Sequence, residues 1–574
     1  MLSFLFKKVY ASVLGKIMYN SHMSNKIRKI LVTSALPYAN GPLHLGHMLE
    51  HIQSDIWVKF QRLCGNDCYF VCGVDAHGTP VMLQAERLGI TPESLVGQYH
   101  KEHLQDLVDF GINYDNFYTT HSSENQELVN HIYFKLQQQG DIITKTIQQA
   151  FDPVKNIFLP DRYVKGNCPK CDSYEQYGDS CEACGAHYSP FELNNPISVI
   201  SGATPIQKVT EHYFFCLEHY SDFLEDWISR NHLQSEISHK LQEWFSDGLR
   251  QWDISRDSPY FGFEIPNASG KYFYVWLDAP VGYIASFKNL CHKQPNISFL
   301  EYWRKDSTTE LYHFVGKDII YFHALFWPAM LHASNFRTPT QIYVHGFLTI
   351  NGEKMSKSRG TFITVRNYLA HLNPEYLRYY FAAKLTNGID DIDFTFEDFI
   401  SRINSDLIGK FVNIASRCGV FIQKKFDKQL SPICLNEALY DHFVDTGDTI
   451  AKLYETRQYA SATRVIMKLA DEANRFIDGQ KPWVLFKDPE KYMLTHQVCS
   501  LGINLFRLIA TYLKPILPNT IKEVESFLNI PELNWKTRYK PLLRHTIKPF
   551  KPLMQRIDPF NVEKVCRHTN SISR

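Results

Sequence analysis

Three clusters of residues in this sequence have types and spacings suited to chemistry. The first is Pro42-Leu43-His44-Leu45-Gly46-His47. Two histidines three residues apart share one face of a helix, and Gly46 between them lets a large ligand approach the backbone. At a helix start, backbone N–H groups and the positive end of the dipole point at an anion. Imidazoles placed there can donate hydrogen bonds to charge that builds up on a departing phosphate. The same spacing also fits two surface histidines or half of a metal site, and only a strand–turn–helix context favours the anion.

The second cluster is Asn351-Gly352-Glu353-Lys354-Met355-Ser356-Lys357-Ser358-Arg359-Gly360, a glycine-bounded basic loop. Ammonium groups on such a loop can close over a polyphosphate and offset its charge; alone, it reads equally as a solvated basic turn. The third is Cys168-Pro169-Lys170-Cys171 with Cys181-Glu182-Ala183-Cys184. Each Cys-x-x-Cys turn presents two thiolates to one ion, and two turns complete the tetrahedron of a structural zinc site. A redox pair is the alternative, but four thiolates on one ion leave no open position for chemistry.

These residues need elements to position them. Lys29–Ser34 (KILVTS) is predicted to be a short strand, followed by a turn over Pro37–Pro42. Met48, Ile52, Ile56, Phe60 and Leu63 then keep helical spacing until Gly65. The segment CYFVCG before Asp75 reads as the next strand, so strand, helix and strand form a βαβ unit with a parallel sheet. The pattern breaks near residue 142, and α/β character returns with YFYVWL (272–277) and LYHFV (311–315), both read as strands. A helix is expected from Ile319 and a strand at QIYVHG (341–346). Beyond residue 400 the period is helical, as at Leu407, Phe411, Ile414 and Ala415, predicting a helical bundle.

The expected fold is α/β: a Rossmann-like parallel-sheet catalytic domain split by a zinc-knuckle insertion, then a C-terminal helical bundle. The expected division is 1–28 a disordered N-terminal extension, 29–141 the first catalytic half, 142–252 the insertion and 253–350 the second half. Residues 351–400 link the lysine loop onward, and 401–574 form the helical domain with its tail. The first 22 residues, with Lys7, Lys8 and Lys16 and no acid, weakly resemble a targeting peptide, but Met23 begins MSNKIRKILVTSALP, so the segment before it reads better as an upstream start or a tail.

Composition bounds the rest. The 574 residues are 44% hydrophobic and 21% charged, with a formal net charge of +1, so any RNA contact must be local rather than global. Thirteen cysteines, an odd number in a long chain, argue against a secreted disulfide framework. No apolar run approaches the ~20 residues needed to span a bilayer. A reducing, cytoplasmic setting follows.

Together, His44-Leu45-Gly46-His47 and Lys354-Met355-Ser356-Lys357-Ser358 resemble the two signature motifs of class I aminoacyl-tRNA synthetases. The second matches letter for letter; the first has leucine where isoleucine is common. Further segments are similar to the methionyl members: Ala35–Gly41, Gly73–Pro80, Val275–Pro280 and Phe314–His323. The resemblance implies that His44, Gly46, His47, Gly316, Asp318, Lys354 and Lys357 bind ATP, with His44, His47, Lys354 and Lys357 acting in adenylate formation. It implies a methionine pocket of Leu36, Tyr38, Asp75, Trp276, Tyr283 and His323, although isolated Trp276 and Tyr283 read as core and Asp318 as a helix cap. By the same resemblance, Asn413, Arg417 and Trp483 read the CAU anticodon; alone they are a polar helix face and a core tryptophan.

The implied partners are ATP with Mg2+, L-methionine, and initiator and elongator tRNA(Met); the implied cofactor is one zinc ion on Cys168, Cys171, Cys181 and Cys184. The insertion is too short for the separate editing domain of the isoleucyl and valyl relatives. No appended tRNA-binding domain follows Pro549-Phe550-Lys551-Pro552, so a monomer is expected. Two other readings are a nucleotidyltransferase of the same superfamily and a non-catalytic RNA-binding paralogue. The former has no need of a zinc knuckle, and the latter would be expected to lose the histidines or lysines.

Overall fold

A computed structural model describes residues 27–355 and 362–567. The expected extension therefore falls almost wholly outside the described residues, as do Ser356, Lys357 and Ser358 of the lysine loop.

The centre is a parallel sheet of five strands: β1 (Lys29–Ser34), β2 (Asp67–Val74), β3 (Asn116–Thr119), β6 (Glu310–Gly316) and β7 (Gln341–His345). Two long strands of an inserted ribbon, β4 (Ile142–Asp152) and β5 (Ile206–Phe215), lie between them in sequence. The sheet order is β7-β6-β1-β2-β3, with β1 parallel to β6 on one side (Leu31 opposite Leu311) and to β2 on the other (Leu31 opposite Tyr69). Strands buried on both faces read as continuous apolar runs, which is why KILVTS shows no alternation. Because the chain leaves β1 in one direction and returns on its other side, a crevice opens beyond the carboxyl ends of these strands. Asp75 follows β2, Gly316 ends β6 and His345 ends β7, so all three stand at that crevice.

Helix α1 (Leu45–Leu63) covers one face of the sheet, and its periodic Met48, Ile52, Ile56 and Phe60 are all buried. It also joins the sheet to the helical region. Arg378 and Asp55 form a buried ion pair (2.7 Å), Trp57 Nε1 donates to the Glu455 carbonyl (3.1 Å) and Tyr459 Oη to that of Gln53 (3.0 Å). Arg28 pairs with Glu310 (2.6 Å) and Glu455 (3.0 Å), fixing the lead into β1 to the same junction.

The ribbon β4·β5 is antiparallel from Ile142↔Phe215 to Phe151↔Ile206. Beyond its tip a small core of Ala150, Ile157, Leu159, Val164 and Leu193 carries the four cysteines. The C-terminal region contains α2 (Asn413–Lys425), entered through a π-helical stretch Ile403–Val412, then α3 (Tyr459–Gln480) and α4 (Tyr492–Leu513). No helix among the described residues is long and apolar enough to cross a membrane.

One sequence expectation needs correction, and another gains a detail. YFYVWL is not one strand: Lys271–Phe273 pairs with Ser255–Asp257, and Val275–Asp278 is a helical turn. Its apolar run mimics a buried strand, but the Trp276 ring lies flat on Phe322 (4.1 Å, 2°), a packing that needs the turn. The helix expected from Ile319 is present from Ile320, with a π-helical turn at Phe322–Phe326 before Trp327–Ala333. Pro328 has no N–H to offer the Ala324 carbonyl, which loosens the ladder at that point.

Candidate functional site

The start of α1 is built by its two histidines. His44 is the N-cap: its Nδ1 accepts from the Gly46 N–H (3.1 Å), and His47 Nδ1 accepts from the His44 N–H (3.1 Å). This is a reciprocal capping box made of imidazoles in place of the usual serine and glutamate. Both Nδ1 atoms act as acceptors, so in each neutral ring the proton sits on Nε2. The rings stack at 3.7 Å. Burial, and next the adjacent His44, hold His47 well below the usual histidine range. The helix start thus turns the Nε2 side of both rings, with His47 kept neutral, away from the capping bonds and beside its own N–H groups.

The flanks of the lysine loop are seated on that helix start. Leu45 N–H donates to the Ile363 carbonyl (3.1 Å), Val365 N–H to that of Leu43 (3.0 Å), and Phe362 meets His44 edge-on at 4.9 Å. Met355 packs over Gly46, where a Cβ would collide with its methyl group. Lys354 belongs by its backbone to a short strand paired with Leu348–Ile350.

A cavity of about 930 Å³ opens beside these residues. Its wall includes His44, Gly46, His47, Leu36, Tyr38, Asp75, Trp276, Gly316 and Asp318. Asp318 is exposed, and a Cβ on Gly316 would press on its Oδ1 at 2.7 Å. The backbone of Asp75 is fixed to the turn after β1, donating to Pro37 (2.9 Å) and accepting from Ala39 (2.8 Å). Its Oδ1 is buried and has no hydrogen-bond partner in the protein. Burial, then the nearby Asp278, push this carboxyl well above the usual carboxylate range.

Tyr283 and His323 are not on this wall. Both are buried behind it, with the His323 ring 6.0 Å from that of Trp276 and edge-on to it. His323 Nδ1 donates to the Ile319 carbonyl (3.0 Å), so its Nε2 is the acceptor and the Tyr283 hydroxyl donates to it (2.8 Å). Burial lowers His323 to about 4, so the pair is uncharged.

The four cysteines converge. Cys168 and Cys184 sulfurs are 3.8 Å apart, those of Cys171 and Cys181 3.6 Å, and all four lie within 4.8 Å of one another. Backbone N–H groups of Lys170 and Cys184 point at Cys168 and Cys181 Sγ (3.4 Å each). This donor set could hold one metal ion.

Residues 30–419 match the family described as tRNA synthetases class I (M), and residues 435–550 match the anticodon binding domain of methionyl tRNA ligase. The chain is 60% identical over 538 residues to a methionine–tRNA ligase of Vesicomyosocius okutanii subsp. Calyptogena okutanii (strain HA), covering 94% of this chain and 98% of that one. The chain belongs to the methionyl-tRNA synthetase family. Among solved structures, Mycobacterium tuberculosis methionyl-tRNA synthetase in complex with methionyl-adenylate aligns with a TM-score of 0.77 at 23% identity, covering 92% of this chain and all (100%) of the other. The apo form of that enzyme aligns with a TM-score of 0.71 at 21% identity, covering 94% and 100%. At such identities the likeness concerns the fold.

Within the methionyl-tRNA synthetase family match, Asn413 and Arg417 lie in the first segment and Trp483 in the second, yet the fold joins them. Asn413 and Arg417 stand on α2 facing α3, where Asn413 Nδ2 donates to Asn474 (3.1 Å) and Arg417 pairs with Asp478. The Arg417 guanidinium lies 4.7 Å from the centre of the Trp483 ring. Trp483 is 39% exposed, with Val484 and Tyr492 exposed nearby in sequence, so it is a surface ring rather than core.

Several residues of the cleft and of the core behind it had not been singled out from the sequence. Glu50 on α1 is buried against His345 (3.3 Å), its carboxyl raised by that burial. His313 on β6 accepts from Trp327 Nε1 at Nε2 (3.1 Å), leaving its Nδ1–H for Thr33 (2.6 Å). The available signal was positional: His313 and His345 lie on strands already recognised, His345 at the carboxyl end of its own.

Proposed function

We propose that this protein is a methionine–tRNA ligase, activating L-methionine with ATP to methionyl-adenylate and pyrophosphate and then esterifying tRNA(Met), initiator and elongator. The observation that carries the reading is the unpartnered Asp75 Oδ1, which shares a cavity with the paired imidazole donors of α1. A buried carboxylate with one unpartnered oxygen suits an ammonium group, and an N–H-rich helix start suits phosphate.

In this mechanism Asp75 binds the methionine ammonium, and Leu36, Tyr38 and Trp276 enclose the thioether, a soft and polarizable group. Tyr283 and His323 brace Trp276 from behind in an uncharged pair. The methionine carboxylate then attacks the α-phosphorus of ATP in line while pyrophosphate leaves. His44 and His47 donate from Nε2 to the phosphates, Gly46 keeps the approach open, and Gly316 and Asp318 hold the ribose. Lys354 and Lys357 offset the charge of the leaving group, and Mg2+ accompanies ATP. Positioning and charge stabilisation suffice, with no protein nucleophile.

Cys168, Cys171, Cys181 and Cys184 hold one structural zinc ion, which stabilises a knuckle with little core of its own. Asn413, Arg417 and Trp483 read the anticodon by hydrogen bonds and stacking. The division into catalytic halves 29–141 and 253–350, insertion 142–252, linking region 351–400 and helical domain 401–574 follows this assignment. The protein works as a cytoplasmic monomer. Charging of a tRNA transcript with the CAU anticodon by labelled methionine tests the proposal: charging that is lost when the anticodon is changed supports it, and none with either transcript contradicts it.

A further inference from the structure

A second group of metal-ligating side chains lies at the base of the inserted ribbon, away from the cleft and from the four-cysteine cluster. We propose that Cys216, Glu218 and His219 form a second site for a thiophilic divalent cation, with zinc the best chemical fit, and that the ion clamps the base of the ribbon. The Cys216 thiol, a carboxylate oxygen of Glu218 and a ring nitrogen of His219 lie within 4.8 Å of one another. Tetrahedral zinc holds its ligands at ~2.0–2.3 Å, which sets them about 3.3–3.8 Å apart. Closing the group therefore takes side-chain adjustment of an ångström or so.

Each ligand is held from behind. His219 Nδ1 donates to Asp141 Oδ1 (2.7 Å), and the other Asp141 oxygen accepts from the Tyr220 hydroxyl (2.5 Å). Asp141 is buried. A histidine whose one N–H is fixed by a buried carboxylate offers its other nitrogen as a lone pair of raised basicity, which is how metal-bound histidines are oriented. Glu218 Oε1 accepts from Gln251 (2.7 Å), whereas Oε2 is buried and has no hydrogen-bond partner. An unpaired carboxylate oxygen beside a buried thiol carries a desolvation cost that a cation relieves. The His219 side chain is 52% exposed, giving the ion an entry path and leaving room for water as a fourth ligand.

The location gives the site its consequence. Asp141 immediately precedes β4 and Cys216 immediately follows β5, whose first and last residues pair as Ile142↔Phe215. The Cys216 N–H donates to the Asp141 carbonyl (2.8 Å). An ion held by Cys216, Glu218 and His219 therefore secures the exit of the ribbon, and through the His219–Asp141 bond its entry. A thiol and an imidazole together select zinc or cobalt over magnesium or calcium.

The test uses the full chain, stripped of metal, reloaded with excess zinc chloride, desalted and assayed by atomic emission. Wild type is expected to retain two equivalents, and Cys216→Ser and His219→Gln one each, with unchanged circular dichroism. Titration with cobalt chloride should add a one-thiolate charge-transfer band for the second equivalent, absent in Cys216→Ser, while the multi-thiolate band of the first remains. A single equivalent in wild type, or a second equivalent that survives both substitutions, overturns the proposal. Because the variants keep the first equivalent, failure here is separable from failure of the four-cysteine site.

Discussion

Replacing Asp75 by asparagine keeps the shape of the side chain and removes its charge. In the folded protein its Oδ1 has no partner and burial raises its pKa well above the usual range. Truncating one member of a buried, hydrogen-bonded charge pair costs about 2–5 kcal/mol. If Asp75 pairs with the methionine ammonium, Asp75→Asn should lower kcat/KM for methionine by roughly 30- to 4,000-fold. The KM for ATP should stay within about twofold, because the phosphate donors lie on α1. Stability should move the other way. A carboxyl with a raised folded-state pKa holds its proton more tightly folded than unfolded, so its contribution to stability is lost as pH rises through the raised value. Above that raised value the wild-type carboxylate is therefore destabilising relative to an uncharged side chain, and the variant should unfold there at a higher temperature. Methionine-dependent exchange in wild type should fall as the pH drops through the same raised value, and the variant should lose that dependence. The assay is pyrophosphate exchange against methionine and ATP concentration, alongside thermal unfolding. An unchanged methionine dependence would refute the assignment of Asp75, and a lower unfolding temperature would refute the account of its burial.

Three further outcomes are expected. Trp483→Ala removes an exposed ring from beside Arg417 and should reduce tRNA charging roughly 10- to 100-fold, from stacking of ~1–3 kcal/mol per base, with pyrophosphate exchange intact; equal losses in both reactions would count against an anticodon role. Tyr283→Phe leaves His323 Nε2 buried without its donor and should raise the methionine KM about 5- to 30-fold, for ~1–2 kcal/mol, without changing the ATP KM; a parallel rise in both would show a general folding defect instead. Chelation of zinc, or Cys171→Ser, should speed amide hydrogen exchange across residues 164–200 while the five-stranded sheet stays protected, and unaltered exchange there would argue against a structural metal.

Much of the sheet was legible because its strands are short, apolar and bounded by turns: KILVTS gave Lys29–Ser34, and LYHFV lies within Glu310–Gly316. The histidines of α1 and the cysteine pairs were legible because their chemistry is local in sequence. What stayed hidden depends on partners far away along the chain. Trp276 reads as part of a strand until Phe322 is brought against it, whereas Tyr283, read by itself as core and by the resemblance as a pocket residue, is buried behind the wall. Trp483, by composition a core residue, is exposed because the short helix Pro482–Leu485 carries it beside α2. Glu50 lies in an amphipathic helix pattern that gives no hint of His345, 295 positions later.

The central claim is that this cleft activates methionine, and it is tested most directly by amino-acid-dependent exchange of pyrophosphate into ATP by the purified protein without tRNA. The account predicts exchange with methionine and far less with leucine or isoleucine. A folded, zinc-loaded sample that catalyses no exchange with methionine, or exchanges equally with all three, would contradict it.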